Sequence, residues 1–378
     1  MEFHKFKLLT IFIIFSLNPI LAQEKEKTTN KPVVFGDFRF RGEQDWDSRK
    51  SNGDFRKDRS RLRYRFRLGV KYDYKDWAQV GARIRTGNIL DQQGPHITLG
   101  GGDSKEFGLV NLGFEKLYFK AEYKYLSGWI GKNSFPFFKQ NELFWNDNVF
   151  VEGIAVSFSN FSEKKFLKNM TLNLGHFIFE SKNSGLDKDR FLQGIQLVKK
   201  FKNLSAYTGI YYLNHVPDIP DGMGTFDIEY NILNLGALYQ FGIGNTYRLG
   251  VDYYQNLSDN PQIEKTIKDE NTGLVGNIGF GKLKQEKDWS FDITYAYLEK
   301  ISVVDYFAQN DWARWDYASF EASGSRLTNF QGVEFKIGYM LNKQMNLIFR
   351  GYRVHQIKTL GQEKETGSRV RIDFNFKF

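Results

Sequence analysis

Residues 58–74, "DRSRLRYRFRLGVKYDY", carry an arginine at every second position from Arg59 to Arg67, with Leu62, Tyr64, Phe66 and Leu68 between them. Guanidinium groups grip phosphates and carboxylates through paired N–H donors. Cations interleaved with aromatic rings also suit single-stranded nucleic acid, where charge follows the phosphates and rings stack on bases. The same period of two describes a β-strand with one cationic and one apolar face. The surrounding elements decide between a nucleic-acid grip and the lining of something hollow.

The chain has 378 residues and a formal charge of +9. It combines 36 Phe, 20 Tyr and 7 Trp with a mean hydropathy of −0.49, and has 35 Gly against 7 Pro. Abundant rings in a polar average fit a membrane barrel, whose outward apolar residues alternate with a wet interior and whose aromatics form interfacial girdles. Residues 1–22 read as a secretory signal, with Lys5 and Lys7 ahead of an apolar run at Leu8–Phe15 and a small-residue end at Ala22. That run is shorter than the roughly twenty residues a spanning helix needs, which disfavours an N-terminal anchor. Residues 23–32 then form a short periplasmic segment. With no cysteine in the chain, a lipoprotein anchor, disulfides and thiol chemistry are excluded.

Alternation of apolar and polar residues recurs almost throughout. It predicts strands near 33–42, 59–73, 77–87, 115–125, 128–133, 150–159, 170–180 and 190–199. The second half adds 204–213, 230–241, 245–254, 272–282, 289–298, 327–339, 345–355 and 368–378. The expected fold is therefore all-β: one transmembrane antiparallel barrel of about sixteen strands over residues 33–378. The connections alternate too. Long segments such as "GEQDWDSRKSNGDFRKD" and 88–114 take turns with tight ones such as "YKDW" and "YLSG", as expected of long outer loops and short periplasmic turns. The stretch 160–169 is long for an inner turn. The closing "RVRIDFNFKF" alternates strictly and ends on Phe378, resembling the signal read by the barrel-assembly machinery of the outer membrane.

An apolar outer face fixes the inner one. Arg61, Arg63, Arg65, Arg67 and Lys71 must turn inward, because the opposite register would place four arginines in lipid at about 2–4 kcal/mol each near the midplane. By the same alternation Arg39, Arg41, Arg83, Arg85, Lys116, Lys120 and Lys124 join them, with Asp37, Asp73 and Glu122 as acidic neighbours. Such a wall favours anions in a water-filled pore. The alternative is a ladder that only solvates the lumen. The third outer loop, 132–153, is rich in aromatics and carries Glu142, Trp145, Asp147 and Glu152. Folded inward it would set these carboxylates against the arginines as a constriction, and its rings favour burial inside the barrel or against another subunit.

"GDFRFRGEQDW", "DRSRLRYRFRLGVKY", "VGARIRTG" and "WIGKNSFPFF…LFWNDNVFVEG" together resemble the family of outer-membrane barrels called putative porins, most clearly over the first third of the chain. A related look is that of alginate-export-type barrels with an arginine-rich lumen. The resemblance implies passive diffusion across a Gram-negative outer membrane, or passage of an acidic oligo- or polysaccharide. The expected partners are outer-membrane lipid and small polar or anionic solutes, with no nucleic acid, and the barrel stands as a homotrimer or a monomer.

Two rival classes remain. An outer-membrane enzyme needs a base beside a nucleophile. His176 lies near Ser181, but an odd offset along a strand puts the two on opposite faces, and no P-loop, HExxH or GxSxG occurs. No catalysis, cofactor or metal is expected; acidic "SGLDKDR" and "PDIPDGMGTFD" read as solvated loops rather than calcium sites. An adhesive barrel would use a long aromatic loop such as 299–324.

Overall fold

The computed structural model describes residues 31–378 except 102–107, 161–166, 183–184, 186–187, 218–226, 262, 264, 306, 313–327 and 360. The expected signal at 1–22 and most of the segment at 23–32 lie outside the described residues. The first three strands are β1 (Val33–Trp46), β2 (Arg59–Lys75) and β3 (Ala78–Thr86), and a two-residue strand, β4 (Ile97–Thr98), sits inside the second outer loop. Next come β5 (Leu112–Tyr123), β6 (Leu126–Ser134), β7 (Phe150–Ser159), β8 (Met170–Glu180), β9 (Arg190–Lys200) and β10 (Leu204–Pro217). The wall is completed by β11 (Asp227–Phe241), β12 (Tyr247–Asn256), β13 (Thr272–Gly281), β14 (Trp289–Leu298), β15 (Phe330–Met340), β16 (Met345–Gln356) and β17 (Thr366–Lys377).

With β4 set aside, sixteen antiparallel strands pair each with its chain neighbours, and β1 pairs with both β2 and β17, so the sheet closes. Closure leaves no free edge, the condition for a sheet to stand in hydrocarbon. At the seam Gly36 and Phe378 exchange backbone hydrogen bonds of 2.9 and 3.1 Å. Gly36 is required there, since a Cβ would fall 2.5 Å from the Phe378 ring.

Side chains split by parity as lipid and water demand. Leu62, Val70, Phe119, Ile130, Ile154, Leu274, Ile278 and Ile293 are exposed on the outer surface. A run of rings from Tyr239 through Phe241, Tyr247 and Phe280 to Phe291, with centroids 5.2–6.3 Å apart, crosses β11 to β14 toward the turn side. Such a run forms part of an interfacial girdle.

The apolar core lies inside the barrel. Phe137, Leu143, Phe144 and Trp145 of the third outer loop (135–149) and Ile301, Val303, Val304, Ala308 and Trp312 of the seventh (299–329) bury against Tyr211, Tyr254 and other wall residues. These rings and aliphatic groups hold both loops in the lumen, because leaving them in water would forfeit their burial. Among the described residues a single α-helical turn, Lys265–Lys268, belongs to the sixth outer loop.

Candidate functional site

Eleven arginines among the described residues line a lumenal cavity of about 710 Å³: Arg39, Arg41, Arg56, Arg59, Arg61, Arg63, Arg65, Arg67, Arg350, Arg369 and Arg371. Along β2 the guanidinium-bearing residues recur every two positions, about 6.8 Å apart by strand geometry. Cross-strand register sets Arg65 opposite Arg39 and Arg63 opposite Arg41. Like charges facing one another are destabilising, and the wall answers with carboxylates at the roots of the arginines. Asp37 accepts from Arg65 at 2.6 Å and from Arg67 at 2.8 Å. Glu43 pairs with Arg61 and, at 3.7 Å, with Arg63. Asp373 takes both Nε and a terminal nitrogen of Arg41, at 2.5 and 3.2 Å. Asp45 accepts from Arg369 at 2.6 Å, and Glu334 pairs with Arg350 at 2.5 Å.

The facing side of the cavity is made by three loops sewn together through backbone and amide groups. The Gln309 N–H donates to the Glu142 carbonyl at 3.0 Å, and the Asn146 N–H donates to the Phe307 carbonyl at 2.7 Å. From the second loop (87–111), Gln93 donates to the Ala308 carbonyl at 2.9 Å and accepts from the Asn146 amide at 2.7 Å. The third loop is fixed to the wall by Gln196 and Asp252. Gln196 accepts from the Phe138 N–H and donates to its carbonyl, both at 2.7 Å, and Asp252 accepts from Asn141 at 2.6 Å.

Glu142 and Asp147 line the same cavity as the arginines, and Asp311 pairs directly with Arg371 and Arg369. Asp147 is also paired with Lys139. Burial alone would raise the Asp311 carboxyl, but Arg371, Arg41 and Arg369 hold it far below the usual carboxylate range. His96 of the second loop lines the same cavity; burial, then the charges of Arg41, Arg65, Arg39 and Arg63, push its imidazole well below the ordinary value, so it is neutral near pH 7. A second cavity of about 650 Å³ continues past Lys139, Asn277, Lys282 and Lys336, and shares Glu142, Asp147, Gln309 and Arg350 with the first.

Several expected residues stand elsewhere. Glu152 pairs with Lys132 at 2.5 Å and lines a small separate cavity with Trp145 and Phe307, apart from the arginine cavity. Trp145 is buried behind the loop side of the arginine cavity, stacked on Phe135 at 4.3 Å and close to Phe307 at 4.5 Å, so it supports the loop without facing that cavity. Lys124 is corrected from strand to turn, at φ 53° with its ammonium 5.1 Å from the Tyr123 ring. Lys71 lies over the Phe35 ring at 5.1 Å, and Lys120 pairs with Glu122, both beyond the cavity. Arg83 pairs with Glu115, which a bulge in β5 turns inward beside Lys116; Lys116 donates to Ser134 at 2.6 Å. Arg85 is spent on the second loop, donating to the carbonyls of Thr86, Asn88 and Asp91 at 2.9–3.1 Å.

The sequence reading missed Arg350, Arg369 and Arg371, their partners Glu334, Asp45, Asp311 and Asp373, and Glu43, which pairs with Arg61 and Arg63. Parity in "RVRIDF" carried the signal for three of them: with Val370 and Ile372 outward, Arg369, Arg371 and Asp373 must be inward, and closure brings β17 beside Arg39 and Arg41. The pair weighed for catalysis separates, with His176 3.1 Å from Gln193 and Ser181 donating to Asp189. Of the acidic stretches 184–190 and 217–227, residues 184, 186–187 and 218–226 lie outside the described residues.

The model of a family described as putative porins matches residues 43–211. No curated protein matches the chain. Among solved structures it is similar to OprB of Pseudomonas putida, at 13% identity and TM-score 0.56, covering 92% of this chain and 94% of that one. OmpF of Salmonella typhi in complex with daunomycin gives 13% identity and TM-score 0.54, over 92% and 98% of the two chains. The outer-membrane channel DcaP of Acinetobacter baumannii gives 14% and 0.52, over 95% and 100%. Over residues 43–211 the chain matches the model of the putative porin family, and its closed wall of sixteen strands has the porin fold.

Proposed function

We propose that the chain is a non-enzymatic diffusion channel of the Gram-negative outer membrane, passing small polar solutes with a preference for anions. The observation that carries this reading is the arginine-lined cavity set against the carboxylates of the third and seventh loops. The wall carboxylates sit at the roots of the arginines: Asp45 is 1% exposed, Glu43 5% and Asp373 2%, while the side chains of Arg39, Arg61 and Arg63 are 18–24% exposed, so these guanidinium groups are what water in the cavity meets. Low-dielectric walls focus such a field on a passing ion.

The same features favour small solutes over an acidic polysaccharide. No Phe, Tyr or Trp occurs among the described residues lining the arginine cavity, and stitched loops occupy the path a long chain would need. The docking of Phe378 on Gly36 fits delivery by the barrel-assembly machinery. Purified protein in planar bilayers under a KCl gradient tests the proposal. Discrete current steps with a reversal potential on the anion side are expected; a silent membrane, or a cation-side potential, would refute it.

A further inference from the structure

We propose that Arg41, Arg369 and Arg371 form a carboxylate-binding site in the lumen whose resident occupant is the chain's own Asp311, and that small carboxylate solutes bind there by displacing its side chain. This site rests on the channel reading above and names the solute class it serves. Asp311 reaches the arginines from a loop, whereas Asp45 and Asp373 belong to the same strands as the arginines or their neighbours. It pairs with Arg371, lies 3.4 Å from Arg369 and 3.9 Å from Arg41, and its backbone carbonyl accepts from Arg369 at 3.0 Å. The three arginines are 4–6% exposed and project from two adjacent strands, β1 and β17.

Each arginine keeps a carboxylate contact besides Asp311, which limits the cost of buried charge when Asp311 turns away. Arg369 keeps Asp45 at 2.6 Å, Arg41 keeps Asp373 at 2.5 Å, and Arg371 keeps Asp373 at 3.5 Å. Removing the loop carboxylate therefore leaves a paired, preorganised cluster facing the cavity with donors to spare, since each guanidinium carries five N–H groups. Trp312 anchors the loop beside it, stacked on Phe330 at 5.9 Å and edge-on to Tyr352 at 5.7 Å, so exchange needs only rotation of the Asp311 side chain. A tethered ligand competes as if present at about millimolar concentration or above. Free carboxylate must reach that range to occupy the site.

The test is block of single-channel current by succinate in KCl, for wild type, Asp311→Asn and Arg41→Lys, with folding followed by heat-modifiable migration. Loss of the tethered competitor should lower the half-blocking succinate concentration of Asp311→Asn by about tenfold or more. Arg41→Lys keeps the charge and the loop carboxylate but loses the two-point grip, and should raise that concentration several-fold. It stands as an independent test where Asp311→Asn does not fold. An unchanged half-blocking concentration in either folded variant would overturn the site while leaving the channel intact. Absence of current in wild type would overturn the channel and the site with it.

Discussion

Gln196 on β9 holds Phe138 of the third loop as a neighbouring strand would, taking its N–H and giving to its carbonyl at 2.7 Å each. A side chain thus replaces a β-ladder where the loop leaves the wall and turns across the lumen. It also receives the Asn173 amide at 3.0 Å and donates to Tyr211 at 3.1 Å, so the clamp is itself held in place.

Gln196→Ala removes both contacts to Phe138, each worth about 0.5–1.5 kcal/mol net. The barrel should fold normally by heat-modifiable migration, while single-channel conductance rises and open-channel noise increases as the loop loosens. Conductance and noise equal to wild type would show that the apolar packing of Phe137, Phe144 and Trp145 alone fixes the loop.

Neighbours on β13 test the assignment of faces. Ile278 is 64% exposed on the outer wall, and Asn277 lines the second cavity. Ile278→Arg should destabilise the barrel in a lipid-refolding titration by about 2–4 kcal/mol, the cost of arginine near the midplane, whereas Asn277→Arg should fold like wild type and narrow the pore. Equal losses from the two substitutions would contradict the register.

Acid should leave the seventh loop in place. The ordinary Asp value is 3.8, and three guanidiniums hold Asp311 far below it. Its contribution to stability is therefore complete above the unfolded value and is lost only as pH falls through the lower folded one. Wild type and Asp311→Asn, differing in anion selectivity at neutral pH, should still differ at about pH 4. Convergence there would mean that Asp311 is already protonated.

Much of the wall could be read from the sequence because two solvents act on it at once. Lipid forbids charge on one face and water rewards it on the other, so the parity of Arg61 to Arg67 against Leu62 to Leu68 fixed orientation without a structure. Strand ends were harder. "GEQDW" was read as loop after Gly42, yet β1 runs to Trp46 and carries Glu43 and Asp45 inward to partner Arg61 and Arg369.

The constriction was legible only in outline. Aromatic density in the third loop foretold burial. The inward fold of the seventh loop depends on contacts between segments far apart in the chain, such as Gln309 with Glu142, which periodicity does not encode. Glu152 stands apart from the arginine cavity because the third loop ends at Val149 and the residue belongs to β7.

The central claim, that the arginine wall of β2 sets ion preference, is tested most directly by the reversal potential of Arg63→Glu/Arg65→Glu/Arg67→Glu against wild type in a KCl gradient. Heat-modifiable migration confirms that the variant barrel has closed. The expected result is an anion-side potential for wild type that moves through zero toward the cation side in the variant. A folded, conducting variant with an unchanged potential would show that these arginines only keep the lumen wet.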